Sequence, residues 1–353
     1  MKTMRLKTIY LPDLLLCALL ADAIVFQSAA RAASCTTQSQ MAPAQRETLA
    51  GAARSILADV QSGNLQNLRS DSLPAIAANF DDVAKLVAHL EPLTQPAAVT
   101  VDELYLLDAN DASAASQTDF YCGSPVVVFH FTSLPPGTYG LAFVHATGVP
   151  NPQQISLILA QAPGGHWMLA GIYDKPMMAA GHDGLWYWVQ ARRYVQSKDK
   201  WDAWFYYHEA SELLDPVSFL SSPNLSMLQR ESTDTRPPNL PGTQPMNLTV
   251  NGENFVVTSI AESNMVKWLD LDVRYVPSPA QTLRLHDSQT AWQQAIAIMS
   301  ALLELHPELE SAFHGMSVHA VQGATPLYAL ELPMAVIVHA PHPTAAESTP
   351  FTH

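Results

Sequence analysis

The sequence predicts an α+β fold, in which helices and strands occupy separate stretches of the chain. Apolar side chains recur at helical spacing over residues 49–60, and shorter helical runs continue to residue 90. Five strand-like runs then follow between residues 99 and 173, with turn signals at 135–137 and 164–165. Helices followed by an antiparallel meander predict a layer of helices packed on a curved sheet.

Changes of composition and periodicity predict how the chain is divided. Asn251–Gly252 indicates a β-hairpin, and residues 291–305 show helical spacing, so the second half also mixes strands and helix. The predicted segments are a signal peptide at 1–33, an α+β domain at 44–178, a helical hairpin at 181–231, a Pro- and Ser-rich linker at 232–246, a small C-terminal α+β domain at 247–340 and a disordered tail at 341–353.

The first residues predict export from the cytosol. A basic start is followed by apolar runs at 14–20 and 23–26, and Ala-Arg-Ala at 30–32 matches an A-x-A cleavage pattern. Asp13 and Asp22 interrupt the apolar part, and the alternative is an uncleaved anchor helix or a disordered tail. Export with cleavage predicts a periplasmic or extracellular protein.

Export also determines the chemistry expected of the cysteines. Cleavage removes Cys17 and leaves Cys35 and Cys122, which predict one disulfide in an oxidising compartment. The alternative is a lipid anchor at Cys35, because the preceding residues Ala-Ala-Ser resemble a bacterial lipoprotein cleavage site. Two distant cysteines lack the paired spacing of a zinc site.

Charge and hydropathy exclude two classes of partner. The formal net charge is -14, and removal of a leader with a net charge of +2 leaves about -16 by the same counting. Such a surface repels phosphate backbones, so we expect no nucleic-acid partner. After the leader, the sequence offers no run of about 18 apolar residues, so we expect no transmembrane segment in the mature chain.

The N-terminal domain contains the runs LADVQSGN at 57–64 and GHWMLAGIY at 165–173, within a stretch of about residues 44–175. With the order of helices and strands around them, these runs resemble the cystatin-like, nuclear-transport-factor-like superfamily. The resemblance implies a curved sheet wrapped around helices, with a conical pocket between them. The polar groups that would line this pocket are Asp102, Tyr105, Asp119, Tyr139 and His145.

The hairpin at 181–231 is rich in aromatic residues. Its small and aromatic positions are Ala191, Tyr194, Ala203, Tyr207 and Ala210, and this pattern resembles a single tetratricopeptide repeat. About half of its aromatic side chains follow one helical stripe and are expected to be buried. Trp188, Phe205 and Tyr206 lie off that stripe, and we predict that they form a binding surface for a protein or a glycan. The alternative is a helix packed on two sides between domains.

Three further runs are GHDGLWYW at 181–188, FLSSPNL at 219–225 and LELPM at 330–334. They resemble a group of uncharacterised secreted acidobacterial proteins. This resemblance implies a secreted or envelope setting in a bacterium and no particular activity.

Catalytic motifs are weak in this sequence. Neither a G-x-S-x-G elbow nor a phosphate-binding loop is present, and no spacing of histidines and carboxylates matches a known metal site. If 126–132 and 139–147 pair across the turn at 135–137, Phe131 faces Tyr139, and His130 and His145 point to opposite faces far apart. We therefore expect no metal and no cofactor.

These observations favour a non-enzymatic binding or assembly protein of the bacterial envelope. The alternative is a small-molecule hydrolase or isomerase that uses His145, Asp102, Asp119 and Tyr139 in the conical pocket. A third hypothesis is a structural protein that bridges domains. Fold alone does not decide between these functions.

Overall fold

A computed structural model describes residues 33–110, 117–264 and 268–339, together with the backbone of 345–348. The predicted signal peptide lies outside the described residues except for its last position. The α+β class is confirmed, because helices and mostly antiparallel sheets both contribute throughout the described chain. None of the described helices is long and apolar enough to cross a membrane.

The N-terminal region begins with a short strand, continues through four helices and ends in a set of long strands. Helix α1 starts at a proline, and Gly63 follows its end with φ of 63°, a left-handed conformation that suits glycine. The elements are β1 (Ser34–Thr37), α1 (Pro43–Gln61), α2 (Leu65–Ser70), α3 (Pro74–Ala78), α4 (Asp81–Thr94), β2 (Ala98–Asp108), β3 (Gln117–Cys122), β4 (Val127–Thr132), β5 (Thr138–Thr147), β6 (Gln153–Gln161) and β7 (Trp167–Pro176).

The second half of the chain contains a helical hairpin and ends in a six-stranded sheet. Its elements are β8 (Met178–Ala179), β9 (His182–Asp183), α5 (Gly184–Ser197), α6 (Lys200–Leu214), β10 (Leu220–Ser221), α7 (Pro223–Thr235), β11 (Met246–Val250), β12 (Glu253–Ser263), β13 (Asp270–Val276), α8 (Pro279–Arg284), α9 (Ser288–Leu305), α10 (Leu309–Ala312), β14 (Gly315–Gln322), β15 (Thr325–Pro333), α11 (Met334–Ile337) and β16 (Ala345–Ser348).

The N-terminal strands form two sheets, whereas the sequence predicted a single meander. The larger sheet has the order β1-β2-β5-β6-β7, and the smaller sheet has the order β10-β4-β3. The predicted pairing of β4 with β5 is therefore wrong: β2 pairs directly with β5, and β4 pairs with β3. The reason is that Phe129 and Phe131 of β4 pack as a second layer on the outer face of the larger sheet.

Each face of the larger sheet has its own apolar core. One face packs against α1 and α4 through Leu49, Leu57 and Leu90, and the other face packs against the smaller sheet through Tyr105 and other aromatic residues. The predicted disulfide is confirmed. It joins Cys35 on β1 to Cys122 on β3, and thus links the two sheets. A lipid anchor at Cys35 would need the sulfur atom that this bond uses.

The helical hairpin and the C-terminal sheet share one core. That sheet has the order β15-β14-β13-β12-β11-β16, with α9 packed on it, and Phe205 of α6 contacts Phe313 in the same core. The predicted linker differs from the structure, because α7 continues to Thr235 and Leu240 is buried in this core. The predicted disordered tail contains β16, which pairs with β11 and covers an otherwise open sheet edge.

Candidate functional site

A cavity of about 480 Å³ lies at one end of the N-terminal region. It is bounded by the start of α1, by β1, and by the adjoining ends of β2, β5, β6 and β7. Its lining residues are Ser34, Thr36, Met41, Ala44, Gln45, Thr48, Leu49, Leu106, Asp108, Thr138, Gln161 and Trp167. The cavity therefore lies between the start of α1 and the larger sheet.

The floor of this cavity follows from the close approach of α1 to β5. Leu49 is buried on α1, and a Cβ atom at Gly140 would lie 2.3 Å from its Cδ1 atom. A larger residue at position 140 would therefore force the Leu49 side chain or the helix to move. Toward the start of α1, the side chains facing the sheet change from apolar to Thr48 and Gln45. The helix wall of the cavity is therefore polar at that end.

A hydrogen-bond network fixes the rim of the cavity. Asp108 Oδ1 accepts from the backbone N–H of Asn110 at 3.0 Å and from its Nδ2 at 2.8 Å. Asn110 Nδ2 also donates to Thr138 Oγ1 at 3.1 Å, which ties the end of β2 to the start of β5. Asp108 Oδ2 has no hydrogen-bond donor among the described residues of this network and can accept from a ligand.

The lining combines one aromatic ring with neutral hydrogen-bonding groups. Gln45 and Gln161 supply amides, and four lining residues supply hydroxyls. Among the described residues that line the cavity, Asp108 alone carries a charge. Trp167 is half-buried, so part of its indole ring is accessible. This arrangement can bind a small neutral molecule that has both hydroxyls and an apolar ring face.

The polar residues predicted for the pocket do not come together there. Asp102 is exposed at a bulge in β2, whereas Tyr105 and Tyr139 are buried between the two sheets. His145 pairs with Gln154 across β5 and β6, with 3.3 Å between Nε2 and Oε1. Asp119 lies on the smaller sheet, where it contacts His130. The prediction that these residues line one pocket is wrong.

The two buried tyrosines have defined partners. Tyr105 donates its hydroxyl to Glu103 Oε2 at 2.6 Å, and Tyr139 donates to the backbone oxygen of Pro135 at 2.8 Å. Burial raises the pKa of both phenols, and the neighbouring Glu103 raises that of Tyr105 further. Both tyrosines therefore stay neutral and serve the packing between the sheets.

The site could not be located from the sequence, because the sequence does not show which face of the sheet each strand residue occupies. On β2, Leu104 and Leu106 face the helices, whereas Tyr105 and Leu107 face the smaller sheet. Both sets are largely apolar, so alternation cannot tell which one faces the pocket. One feature of the sequence could have indicated the lining residues on α1. Gln45 and Thr48 interrupt, at its start, the apolar stripe that continues through Leu49.

The aromatic residues predicted to form an exposed surface are buried. Trp188 donates Nε1 to Glu231 Oε2 at 2.7 Å, Phe205 is fully buried, and Tyr206 donates its hydroxyl to the backbone oxygen of Ala312 at 2.8 Å. These side chains are covered because the hairpin packs between α7 and the C-terminal core. The prediction of an exposed surface at these residues is wrong, and the alternative of a helix packed on two sides agrees with the structure.

Comparisons of the chain with family models, with curated proteins and with solved structures find no match. In the described part of the chain, no group of three His, Cys, Asp or Glu side chains is placed to hold a metal ion. The geometry of the cavity is therefore the main evidence about function.

Proposed function

We propose that this chain is an exported binding protein of the bacterial envelope, and that its N-terminal cavity binds a neutral saccharide. The observation that carries the proposal is the lining of the cavity, in which Trp167 lies beside amides and hydroxyls with one carboxylate at the rim. A sugar ring presents C–H groups on its face and hydroxyls around its edge. An accessible indole ring and neutral polar groups suit these two features.

The size and charge of the cavity support this class of ligand. A volume of about 480 Å³ is within the range of about 300–1,000 Å³ that is usual for small-molecule sites. Asp108 and the net charge of -14 disfavour an anionic ligand, so phosphorylated or uronic-acid sugars should bind less well than neutral sugars. The Cys35–Cys122 disulfide is consistent with an oxidising compartment outside the cytosol.

The composition of the cavity favours binding over catalysis. The alternative function, hydrolysis or isomerisation in this cavity, requires a general acid and a general base at the reacting atoms. Asp108 is the single titratable side chain among the described lining residues, and its Oδ1 atom is already engaged by Asn110. One carboxylate can accept a hydrogen bond from a ligand hydroxyl without any chemical step.

Calorimetric titration with a panel of saccharides tests the proposal. The panel contains neutral monosaccharides and disaccharides, and each is matched by a uronic-acid form. We expect a neutral member to bind and its uronic-acid form to bind at least several-fold more weakly. In Trp167→Ala the dissociation constant should rise about tenfold, which corresponds to about 1.4 kcal/mol.

Trp292→Ala is the matched control, because Trp292 is an exposed tryptophan on α9 and does not line the cavity. It should bind with wild-type affinity. The proposal is overturned if no neutral saccharide binds the wild-type protein, or if Trp167→Ala and Trp292→Ala bind equally well.

A further inference from the structure

Three neighbouring strands of the smaller sheet place a serine, a histidine and an aspartate in one hydrogen-bonded line. Ser221 Oγ lies 2.8 Å from His130 Nε2, and His130 Nδ1 lies 2.9 Å from Asp119 Oδ1. The three residues come from β10, β4 and β3, and Ser221 is 91 positions from His130 in the sequence. No short motif could have revealed this arrangement.

The pleat of the sheet explains why these side chains share one face. Phe120, Phe129 and Leu220 pack against the larger sheet, so their sequence neighbours Asp119, His130 and Ser221 lie on the opposite, outer face. Asp119 pairs directly with His130 in the ladder between β3 and β4. On the other side, the backbone N–H of His130 donates to the oxygen of Phe219 at 2.8 Å, which positions β10.

The hydrogen-bond order is that of a nucleophile, a base and a positioning carboxylate. Because an ionised carboxylate only accepts, we assign the Nδ1 proton of His130 to its bond with Asp119. Nε2 then carries the lone pair and accepts the hydroxyl proton of Ser221. Hydrogen bonds from the Gln117 amide and from His130 lower the pKa of Asp119, so this carboxyl is ionised at neutral pH.

The surroundings of Ser221 leave room for a small substrate. Ser221 borders a shallow cavity of about 400 Å³ between the end of α6 and α7, with Leu225 and Leu228 among its apolar walls. Ser222, the next residue, is the N-cap of the 13-residue helix α7. The partial positive charge of this helix end favours negative charge on a carbonyl oxygen that is held near Ser221.

We propose that Ser221 and His130 are catalytic residues for the hydrolysis of small carboxylic esters, with Asp119 as a positioning residue. In the first half of the reaction, Ser221 Oγ bonds to the carbonyl carbon and gives its proton to His130 Nε2. The bond from carbon to the leaving oxygen breaks, and His130 returns the proton to form the alcohol.

Water completes the reaction. A water molecule gives one proton to His130 Nε2 while its oxygen bonds to the acyl carbon. The bond between carbon and Ser221 Oγ then breaks, the proton returns to Oγ, and the carboxylic acid leaves. This activity is independent of the saccharide site, which lies on the helix side of the larger sheet.

A fluorophosphonate probe and p-nitrophenyl acetate test the proposal. We expect the probe to label the wild-type protein on the peptide that contains Ser221, as identified by mass spectrometry. Ser221→Ala should lose the label, and Ser221→Ala and His130→Gln should each lower ester hydrolysis about 100-fold or more. Ser218→Ala, which alters an exposed serine in the same segment, should retain both activities.

The variant Asp119→Asn tests whether Asp119 positions His130 or only stabilises the fold. It should lower kcat for p-nitrophenyl acetate and leave KM and the thermal melting curve unchanged, because the carboxylate acts on His130 and does not touch the substrate. The proposal is overturned if the probe labels the wild-type protein at another residue or not at all, or if folded Ser221→Ala hydrolyses the ester at the wild-type rate. Trp167→Ala should not affect labelling, so either proposal can fail alone.

Discussion

The two halves of the molecule bury different kinds of polar group. Between residues 33 and 176 the described polar side chains in the core are uncharged, and a disulfide links the two sheets. Between residues 179 and 337 the core encloses carboxyl groups. The buried polar residues of the first half are Ser72, Thr94, Thr118, Gln153 and Ser156, and the buried acidic residues of the second half are Asp202, Glu209 and Asp270.

Two carboxyl groups on α6 show that it costs free energy to bury a charged group in the second half. Asp202 is 1% exposed, and neither of its carboxylate oxygens has a hydrogen-bond partner among the described residues. Burial, together with repulsion from Glu308 and Asp199, raises its pKa to about 7. Burial and the nearby Glu262 also raise the pKa of Glu209 to about 7, although Asn264 Nδ2 donates to it at 2.9 Å.

We therefore expect the two halves to respond to different solution conditions. The stability of the N-terminal half depends on a covalent bond, so it should respond to reductant. The stability of the C-terminal half depends on the protonation of buried carboxyls, so it should respond to pH. Because the N-terminal half has Trp167 as its one tryptophan and the C-terminal half has the other six, tryptophan fluorescence mainly reports on the C-terminal half.

The largest expected change in stability follows from the loss of the disulfide. Replacing both cysteines, Cys35→Ser with Cys122→Ser, opens a link between residues 87 positions apart. The chain-entropy model gives a loss of about 4–5 kcal/mol in the free energy of unfolding for a loop of this length. Hydrogen exchange with mass spectrometry should show lost protection in β1 to β7, whereas β11 to β15 keep wild-type protection.

Reductant supplies the control for this prediction. Adding it to the wild-type protein should reproduce the exchange pattern of the double variant, and adding it to the double variant should change nothing. An equal loss of protection in both halves would contradict the assignment of redox sensitivity to the N-terminal half.

The next largest expected effect is the pH dependence of the free energy of unfolding that Asp202 causes. Its pKa in the folded protein is about 7, above the usual 3.8, so the folded state holds an extra proton between these values. The free energy of unfolding therefore falls as pH rises from about 4 to about 7, and the stabilisation from the proton is lost above that window. Asp202→Asn should raise the free energy of unfolding at pH 8 by roughly 2–4 kcal/mol.

Urea unfolding followed by tryptophan fluorescence at pH 5 and pH 8 measures this effect. The gain in Asp202→Asn should be much smaller at pH 5, where the wild-type carboxyl is already neutral in the folded state. Asp234→Asn, an exposed site on α7, should change stability by less than about 0.5 kcal/mol at either pH. An equal gain at both pH values would rule out protonation as the cause.

A smaller loss of stability is expected from a substitution at Gly140, where α1 approaches β5. A Cβ atom at Gly140 would lie 2.3 Å from Leu49 Cδ1, so Gly140→Ala forces the leucine or the helix to move. Overpacking of this kind costs about 1–3 kcal/mol. The loss should again be confined to the N-terminal half in hydrogen exchange, and it should weaken saccharide binding because Leu49 lines the cavity. Gly51→Ala on α1, where a Cβ atom would meet nothing within 4 Å, is the control.

Much of the secondary structure could be predicted from the sequence. The predicted strand at 139–147 matches β5 at Thr138–Thr147, and the predicted helix at 291–305 falls within α9 at Ser288–Leu305. Pairing could not be predicted, because β3 at Gln117–Cys122 has a mixed composition and was not recognised as the partner of β4. The resemblance to the cystatin-like superfamily stays a prediction.

The candidate sites were harder to predict than the fold. Asp119 and His130 were both considered from the sequence, but their contact depends on which strands pair. Ser221 lies in a two-residue strand that no periodicity can show. The aromatic side chains of α6 were assigned to an exposed surface because the sequence does not show that a second core covers the far side of the helix.

The smallest expected effect concerns the ion pair that joins the two halves. Lys175 Nζ on β7 lies 2.7 Å from Glu212 Oε2 on α6, and the two side chains are 30% and 54% exposed. Solvent screens such a pair, so a double-mutant cycle with Lys175→Met and Glu212→Gln should give a coupling energy below about 1 kcal/mol. Phe219, whose ring centroid lies 5.0 Å from that of Phe131, contributes apolar contact at the same junction, and Phe219→Ala should cost more. A coupling above the cost of Phe219→Ala would show that the halves are held together by charge, and their responses to reductant and pH would then no longer be independent.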